Sequence, residues 1–286
     1  MNFDAVIFDI DNVLVDTRAS YTDCIRKTVE TYLAAVLGFQ PSRTPLLTRQ
    51  DVEQFKSLGG FNDDWDTCYG FLLYFLSLKP KRRRLNELRK QKNIPELVRI
   101  ARSGPLGVAG IEKKSGKHTV VSMEKIADMF QRFYLGDFVW NEKMLIPISS
   151  LKRLKREGLK VGVLTGRNGE EAHFALRRFR IDSLIDALTT QDDTPKTKKK
   201  PNPYGLLKIA ARLGRSLRYL YVGDLPDDML ATRGAKKKVK IFSCGFLAAS
   251  ASPCEMKRRL KKAGADFVCS APAELMQIIL PKSHSA

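Results

Sequence analysis

Long apolar runs and paired cysteines are both missing from this sequence. No stretch approaches the ~20 consecutive apolar residues that a membrane-spanning helix needs, and the start lacks the basic-then-apolar pattern of a signal peptide. The five cysteines are an odd number and show no C-x-x-C spacing, which argues against a zinc site and against a disulfide framework. The sequence therefore predicts a cytoplasmic protein with reduced thiols and no membrane-spanning segment.

Acidic residues are much less frequent than basic residues in this chain. Its 286 residues include 50 Lys and Arg but 31 Asp and Glu, which gives a formal net charge of +19. Such an excess favours anionic ligands and indicates nothing about the fold. The length and the hydrophobic content of 43% suffice for a substantial core, built either as one large domain or as a core with a smaller insertion.

The basic stretch at residues 79–117 contains no aromatic residue between Pro80 and Lys117. This stretch contains four consecutive basic residues at 81–84 and few acids. It can be a solvated helix face followed by a glycine-containing loop, or an arm that binds nucleic acid or a phosphorylated substrate. Without aromatic side chains it lacks the stacking platforms of single-strand binding proteins. The sequence therefore argues against nucleic acid as a partner and favours steering of small anions or plain solubility.

The first predicted strand and the turn after it carry a chemical signal. Ala5 to Phe8 form a short apolar run typical of a strand buried on both faces of a parallel sheet. Asp9 and Asp11 follow one residue apart, and strand alternation allows both to point into one space beyond the carboxyl edge of the sheet. Two carboxylates at such a short distance need a cation between them, or else one is ionised and the other is protonatable. The alternative interpretation is an acidic surface turn.

Three later stretches place polar residues at the end of a predicted strand or just before a predicted helix. They are Lys160–Arg167, whose apolar run ends in Thr165-Gly166, then Lys198–Pro203, and Tyr219–Asp228 with acids at its end. In order along the chain, D-x-D, strand-T-G, K-P-x-P and G-D-x-x-D-D resemble the four motifs of the haloacid dehalogenase superfamily. Most members of that superfamily are Mg²⁺-dependent phosphatases. The resemblance covers about residues 1–16 and 145–280.

The resemblance implies an α/β fold, a Rossmann-like doubly wound parallel sheet with a helical cap inserted after the first motif. Helical and strand-like segments alternate after Ile148, as such a sheet requires. We expect the catalytic core at 1–16 and 145–286, and the helical cap at 17–144 with its basic insertion around 79–117. Apolar spacing predicts cap helices over 20–38, 48–58 and 122–134.

The resemblance also implies roles for the acidic residues. Asp9 would be the nucleophile that forms an aspartyl phosphate, and Asp11 would protonate the leaving alcohol and then deprotonate the incoming water. Asp9 and Asp224 would hold Mg²⁺ with their side chains, and the Asp11 backbone carbonyl would be a third ligand. Asp228 would be a supporting acid. Asp227 is left open between orienting these ligands and capping the next helix.

Phosphate oxygens would be bound by Thr165 and by the Gly166 amide. Lys200 is the candidate for the cationic clamp on the phosphate, because it stands directly before the proline of K-P-x-P. Lys198 and Lys199 are neighbouring alternatives for the same role.

One stretch of the predicted cap has two interpretations. Asn62, Asp63, Asp64 and Trp65 precede a very apolar helical run, so Asn62 or Asp63 can cap that helix and the acids suit its positive end. The stretch can instead be a substrate loop that faces the catalytic carboxylates. The string G-G-F-N-D-D-W-D looks like that of a little-characterised branch of the same superfamily.

The sequence thus predicts a hydrolase of a small phosphorylated metabolite that uses Mg²⁺ and an aspartyl-phosphate intermediate. A phosphotransferase or phosphomutase on the same core is the alternative within enzymes, whereas Asp11 and Asp224 argue against a dehalogenase. A basic binding module on an enzyme-derived core would have lost catalytic residues, and none of the candidate catalytic residues is missing. The sequence indicates neither the particular substrate nor an oligomeric state.

Overall fold

The computed structural model describes residues 2–56, 61, 63–97, 107–115 and 119–281. The chain divides into two compact units, Met1–Asp16 with Lys143–Ala286, and Thr17–Glu142. The sequence places Lys143 and Met144 in the cap, but in the structure they pair antiparallel with Val15 and Asp16 and belong to the first unit. The functional division into a catalytic core and a cap stays a prediction.

The strands and helices are numbered here in chain order. The strands are β1 (Ala5–Phe8), β2 (Val15–Asp16), β3 (Lys143–Met144), β4 (Lys160–Leu164), β5 (Ala187–Thr189), β6 (Arg218–Gly223), β7 (Lys240–Phe246) and β8 (Phe267–Cys269). The helices are α1 (Asp23–Thr31), α2 (Arg49–Lys56), α3 (Asp64–Ser77), α4 (Leu85–Gln91), α5 (Val108–Ser115), α6 (Met123–Gly136), α7 (Ile148–Arg156), α8 (Gly169–Arg178), α9 (Tyr204–Leu213), α10 (Pro226–Ala235), α11 (Pro253–Ala263) and α12 (Pro272–Ile279).

A six-stranded sheet forms the centre of the first unit, with the strand order β5-β4-β1-β6-β7-β8. Every neighbouring pair is parallel, so the predicted doubly wound α/β fold is confirmed. β1 lies in the interior of the sheet and all four of its residues are buried. Val6 and Phe8 pack into the apolar cluster on one face, and Ala5 and Ile7 into the cluster on the other. This burial on both faces explains why the run is continuously apolar.

The second unit is helical and has an apolar cluster of its own. Aromatic rings stack inside it, with 4.4 Å between the ring centroids of Tyr21 and Tyr134 and 4.3 Å between those of Phe55 and Phe71. Gly70 allows α3 to approach α2, because a Cβ there would lie 2.8 Å from the Phe55 ring.

The predicted helices of this unit are present with shifted ends. The one over 20–38 is observed as α1 with a π-helical segment at either end, Arg18–Thr22 and Tyr32–Val36. The one over 48–58 is observed as α2, and its last two predicted residues lie outside the described part. The one over 122–134 is α6, whose cap is Ser122, since its hydroxyl accepts a hydrogen bond from the Lys125 amide at 3.3 Å.

The four basic residues at 81–84 are all exposed and directly precede α4, while several residues of the 79–117 stretch lie outside the described part. Among the helices that the structure describes, none is both long enough and apolar enough to cross a membrane.

Candidate active site

The ends of three neighbouring strands bring the predicted site residues of the first unit together. β1 lies between β4 and β6, and Phe8 is the register partner of both Val163 and Val222. Residues that follow these strands therefore meet at the carboxyl edge of the sheet, where ligands bind in open α/β sheets. Asp9 follows β1 directly, Thr165 follows β4 and Asp224 follows β6.

Lys200 is the centre of the hydrogen-bond network at this edge. Its ammonium donates to Asp9 Oδ2 at 2.7 Å, to Asp228 Oδ1 at 2.8 Å and to the Tyr221 hydroxyl at 3.0 Å. The Tyr221 hydroxyl in turn donates to Asp228 Oδ1 at 2.8 Å. The Lys200 side chain is 10% exposed. A lysine that reaches three buried polar groups in this way fixes their relative positions.

Asp9 has both carboxylate oxygens engaged. Oδ1 accepts the Ile10 amide at 2.7 Å and Oδ2 accepts the Lys200 ammonium. Burial is the largest influence and raises the pKa of Asp9 to about 7; Lys200 lowers it, whereas Asp228 and Asp11 raise it further. The negative form of Asp9 is thus costly in this cluster and would be stabilised by additional positive charge.

The same neighbouring groups shift the pKa values of Lys200 and Tyr221. Burial alone would lower the pKa of Lys200, but the carboxylates of Asp228 and Asp9 raise it well above its ordinary value. Burial raises the pKa of Tyr221 well above its ordinary value, and Asp228 adds to that shift. Lys200 is therefore an ammonium and Tyr221 a neutral hydroxyl at physiological pH.

Asp228 owes its position to Gly223 at the end of β6. A Cβ on Gly223 would lie 2.4 Å from the Asp228 Cβ and carboxyl carbon, so any side chain there would displace this acid. The Asp228 carboxylate is also fixed by the Leu225 amide, which donates to Oδ2 at 3.0 Å. Asp227 is likewise buried, in the first turn of α10.

Asp11 is paired with Arg167, three residues beyond β4. The guanidinium donates to Asp11 Oδ1 through Nε at 2.9 Å and through Nη2 at 2.8 Å. The Arg167 side chain is 1% exposed, while that of Asp11 is 31% exposed. The Arg167 amide donates to the Thr165 hydroxyl at 3.1 Å. This arrangement joins the predicted acid to the predicted phosphate-binding turn.

The structure contains an oxygen-donor set that fits a divalent cation. Asp9, Asp224 and Asp228 each offer one carboxylate oxygen, and these atoms lie within 4.8 Å of one another. Asn12 stands beside this set: its side-chain amide donates to Asp224 Oδ2 at 3.4 Å, and its φ of +56° lies in the left-handed region that Asn tolerates. Carboxylate oxygens are the ligands that Mg²⁺ prefers, so the residues fit the predicted metal.

Two of the three candidate lysines have different side-chain contacts. Lys200 reaches Asp9 and Asp228, whereas the Lys198 ammonium lies 4.9 Å from the centroid of the Tyr204 ring. Thr165 is buried and Gly166 is exposed, at the turn where phosphate oxygens are expected. Assignment of these residues to phosphate binding stays a prediction.

The predicted substrate loop lies in the second unit. Asp63 caps α3, because its Oδ1 accepts the Trp65 amide at 3.0 Å, and Asp64 forms an ion pair with Lys56 at 2.6 Å. Trp65 is half-buried and packs against the apolar cluster of that unit, and Asn62 lies outside the described residues. These contacts give Asp63, Asp64 and Trp65 structural roles, and a role in substrate binding stays a prediction.

Sequence reasoning did not assign a role to Arg167 or Tyr221. Arg167 directly follows Thr165-Gly166, and its partner Asp11 is 156 positions away in the chain. For Tyr221 the sequence predicts only a position in a buried strand. The signal that it offers is chemical, since a buried phenol hydroxyl requires a hydrogen-bond partner.

The fold and the site together define an enzyme of the Rossmann-like type with an acidic and lysine-containing centre at the carboxyl edge of its sheet. The chain belongs to the haloacid dehalogenase-like hydrolase family, whose family model matches residues 3–236.

Comparisons with individual proteins agree with this membership. The chain is 36% identical over 131 residues to the "Putative pyrophosphatase PpaX" of Caldanaerobacter subterraneus subsp. tengcongensis, a match over 45% of this chain and 54% of that protein. It is 29% identical over 144 residues to the phosphoglycolate phosphatase of Pasteurella multocida, over 49% of this chain and 62% of that protein. The matches thus span little more than half the length of these curated relatives.

A solved structure shows the same fold over the whole chain. It is described as a "putative phosphoglycolate phosphatase" from Lactobacillus delbrueckii subsp. bulgaricus. The TM-score is 0.67 at 18% identity, and the match covers 99% of this chain and 100% of that one. At this identity the similarity shows the fold alone.

Proposed function

We propose that the protein is a Mg²⁺-dependent phosphatase that hydrolyses a small phosphomonoester through an aspartyl phosphate on Asp9. The observation that carries the proposal is the cluster in which Asp9 lies beside the Lys200 ammonium and within a set of three carboxylates. An anionic nucleophile next to fixed positive charge suits attack on a phosphoryl group, which is itself an anion. The relatives named as a pyrophosphatase and a phosphoglycolate phosphatase support a small phosphorylated substrate.

Asp9 and Asp224 would hold Mg²⁺ with side-chain oxygens, with the Asp11 carbonyl as a further ligand and Asp228 as a supporting acid. When bound, the cation supplies charge that offsets the repulsion between the carboxylates and the phosphate. Asp228 already shares Lys200 with Asp9, so its main role is to fix the lysine.

The first step is transfer of the phosphoryl group to the protein. An Asp9 carboxylate oxygen attacks phosphorus and forms the acyl-phosphate bond, while the bond from phosphorus to the leaving oxygen breaks. Asp11 donates a proton to that oxygen, which departs as an alcohol. The Thr165 hydroxyl and the Gly166 amide bind phosphate oxygens that gain charge in the transition state.

The second step is hydrolysis of the acyl phosphate. Asp11, now deprotonated, takes a proton from a water molecule whose oxygen attacks phosphorus. The bond between phosphorus and the Asp9 oxygen breaks, which releases inorganic phosphate and restores the Asp9 carboxylate. Lys200 stays in contact with Asp9 and stabilises its negative charge in the resting form.

A screen of phosphorylated metabolites with and without Mg²⁺ tests the proposed function. We expect release of inorganic phosphate from a small phosphomonoester, strong dependence on Mg²⁺, and loss of release on addition of a chelator. Phosphoglycolate and pyrophosphate belong in the screen because of the relatives. Transfer of the phosphoryl group to a second metabolite without phosphate release would instead identify a phosphotransferase. Release that is unaffected by a chelator would contradict the metal dependence.

Substitution of Asp11 tests the assignment of the leaving-group acid. We expect Asp11→Asn to lower turnover by about 10²–10⁴-fold, the usual contribution of a general acid–base. The deficit in the phosphoryl-transfer step should be smaller with nitrophenyl phosphate, because nitrophenolate departs with little need for a proton. The measurement is the single-turnover rate across substrates with leaving groups of different pKa. Equal deficits for good and poor leaving groups would show that Asp11 does not protonate the leaving group.

Arg167 is expected to act through Asp11 as a positioning residue. Arg167→Gln removes the two charged hydrogen bonds to Asp11 Oδ1 and should lower turnover by less than Asp11→Asn does. If Arg167 only orients Asp11, the double variant should be no slower than Asp11→Asn alone, since groups that act as a unit are not additive. Steady-state rates of the four proteins give this comparison. Independent, multiplicative losses would assign Arg167 a separate contact with substrate.

A further inference from the structure

A cavity lies at the edge of the sheet opposite the candidate active site, where β6 and β7 begin. Its volume is about 730 Å³, and five basic residues contribute to its lining: Arg215, Arg218, Lys236, Lys238 and Lys240. None of the described lining residues is acidic. Arg218 is the first residue of β6 and is the register partner of Lys240, the first residue of β7, so two of these cations start adjacent strands.

This amino-edge cavity is separate from the carboxyl-edge site. Arg218 and Gly223 are the two ends of β6, and a rise of about 3.3 Å per residue places them ~17 Å apart. A ligand that fills the amino-edge cavity therefore does not occupy the place of the Asp9 cluster. The proposed phosphatase chemistry accounts for none of the five basic residues.

Most of the positive charge in this cavity is not neutralised. The Lys236 ammonium forms an ion pair with Asp266 at 2.6 Å, and the Asp4 carboxylate accepts the Arg218 backbone amide at 2.7 Å. Arg215, Lys238 and Lys240 are exposed, and no ion pair to any described residue is present for them. Like charges gathered around one concavity repel each other, and a bound anion relieves that repulsion.

One wall of the cavity is apolar. The half-buried Phe242 ring packs edge-on against Phe3, with 5.9 Å between the ring centroids, and the Lys236 ammonium lies 5.9 Å from the Phe242 centroid. The volume lies within the range of about 300–1,000 Å³ that is usual for small-molecule sites. A specific nucleic-acid interface needs an extended surface of about 1,000–2,500 Å², so the concave shape favours a small ligand.

We propose that this amino-edge cavity binds a small anion that carries two or more linked phosphate groups. The cations come from three separate places, the segment before β6, the turn after α10 and the start of β7, and a chain of linked phosphates offers several negative charges to them where a single phosphate offers one group. Inorganic tripolyphosphate and a nucleoside triphosphate share this chemistry, and the second could also place its base near Phe242.

The test measures binding of tripolyphosphate and of ATP to the full chain by calorimetry in the presence of a chelator. The test variant is Arg215→Gln/Lys238→Gln/Lys240→Gln. The matched control is Lys152→Gln/Arg153→Gln/Arg156→Gln, which removes the same charge from exposed positions of α7. We expect wild type and control to bind, and the test variant to bind at least about tenfold more weakly. Its hydrolysis of nitrophenyl phosphate should be unchanged, because the substitutions lie at the other edge of the sheet.

Binding of ATP but not tripolyphosphate, lost in the test variant, would support the proposal and identify a nucleotide as the ligand. If the control and the test variant bind the anions equally more weakly than wild type, net charge alone explains the effect, which would overturn the proposal. Inorganic phosphate that binds as tightly as tripolyphosphate would also overturn it. The proposal would also be overturned if a DNA duplex binds more tightly than either anion and this binding is lost in the test variant.

Discussion

Asp9→Asn should abolish turnover, with a loss of about 10⁴-fold or more, as expected for removal of a catalytic nucleophile. The amide has nearly the shape of the carboxylate but cannot form the acyl phosphate. It offers one oxygen where two now accept hydrogen bonds, from the Ile10 amide and from Lys200. A modest fall in melting temperature is therefore expected alongside an intact fold. Phosphate release and circular dichroism of the purified variant provide the two measurements.

Asp182→Asn is the matched control for this prediction, because Asp182 is an exposed aspartate in the same unit. It should keep wild-type activity and stability. Phosphatase activity of Asp9→Asn within tenfold of wild type would show that Asp9 is not the nucleophile.

Lys200→Met should destabilise the protein strongly as well as inactivate it. Methionine keeps an unbranched side chain but leaves the buried Asp9 and Asp228 carboxylates facing each other without their shared ammonium. Removal of one partner from a buried ion pair typically costs about 3–5 kcal/mol in the free energy of unfolding. We expect a loss in this range from denaturant unfolding monitored by circular dichroism in the absence of metal.

Lys208→Met serves as the control, since Lys208 pairs with Asp193 at 2.7 Å where both side chains are about one third exposed. The Lys208 ammonium is the main cause that lowers the pKa of Asp193 to about 2, but solvent screens a partly exposed pair, so this variant should lose less stability than Lys200→Met does. The double variant Lys200→Met/Asp228→Asn should recover part of the stability, because one of the uncompensated charges is removed. If Lys200→Met costs no more than Lys208→Met, the buried network contributes little to stability.

The sheet could be predicted from sequence because its strands are short apolar runs that stop at polar residues. β1 was predicted with its observed ends, since all four of its residues are buried. The full length of β7, Lys240–Phe246, is harder to predict, because Ser243 and Gly245 interrupt its apolar pattern. Helix α11 was not predicted: its buried residues Met256, Leu260 and Ala263 are outnumbered by basic ones.

The motif residues of the site could be predicted as a set, but not their contacts. Three of the motifs end or follow a strand, and the parallel order brings those ends to one edge, while K-P-x-P precedes α9. The links between motifs depend on side chains that are distant in sequence: Lys200 reaches Asp9 across 191 positions and Arg167 reaches Asp11 across 156. No local pattern carries that information, so the sequence alone does not indicate which of the three lysines reaches Asp9.

The roles of the acidic residues before α3 could not be decided from the sequence. The acids before α3 fit both a helix cap and a substrate loop, because Asp and Asn serve either purpose with the same local sequence. The bond of Asp63 with the Trp65 amide and the ion pair of Asp64 with Lys56 lie within one unit and give each acid a structural partner.

Chemical trapping of the covalent intermediate tests the central claim most directly. The protein is mixed with its best substrate and Mg²⁺, quenched in acid and reduced with borohydride, which converts an aspartyl phosphate into homoserine. Mass spectrometry of the peptide that contains residue 9 should then show homoserine at Asp9, and the signal should disappear without substrate and in Asp9→Asn. Active turnover that leaves Asp9 unmodified, or homoserine at a different aspartate, would contradict the account.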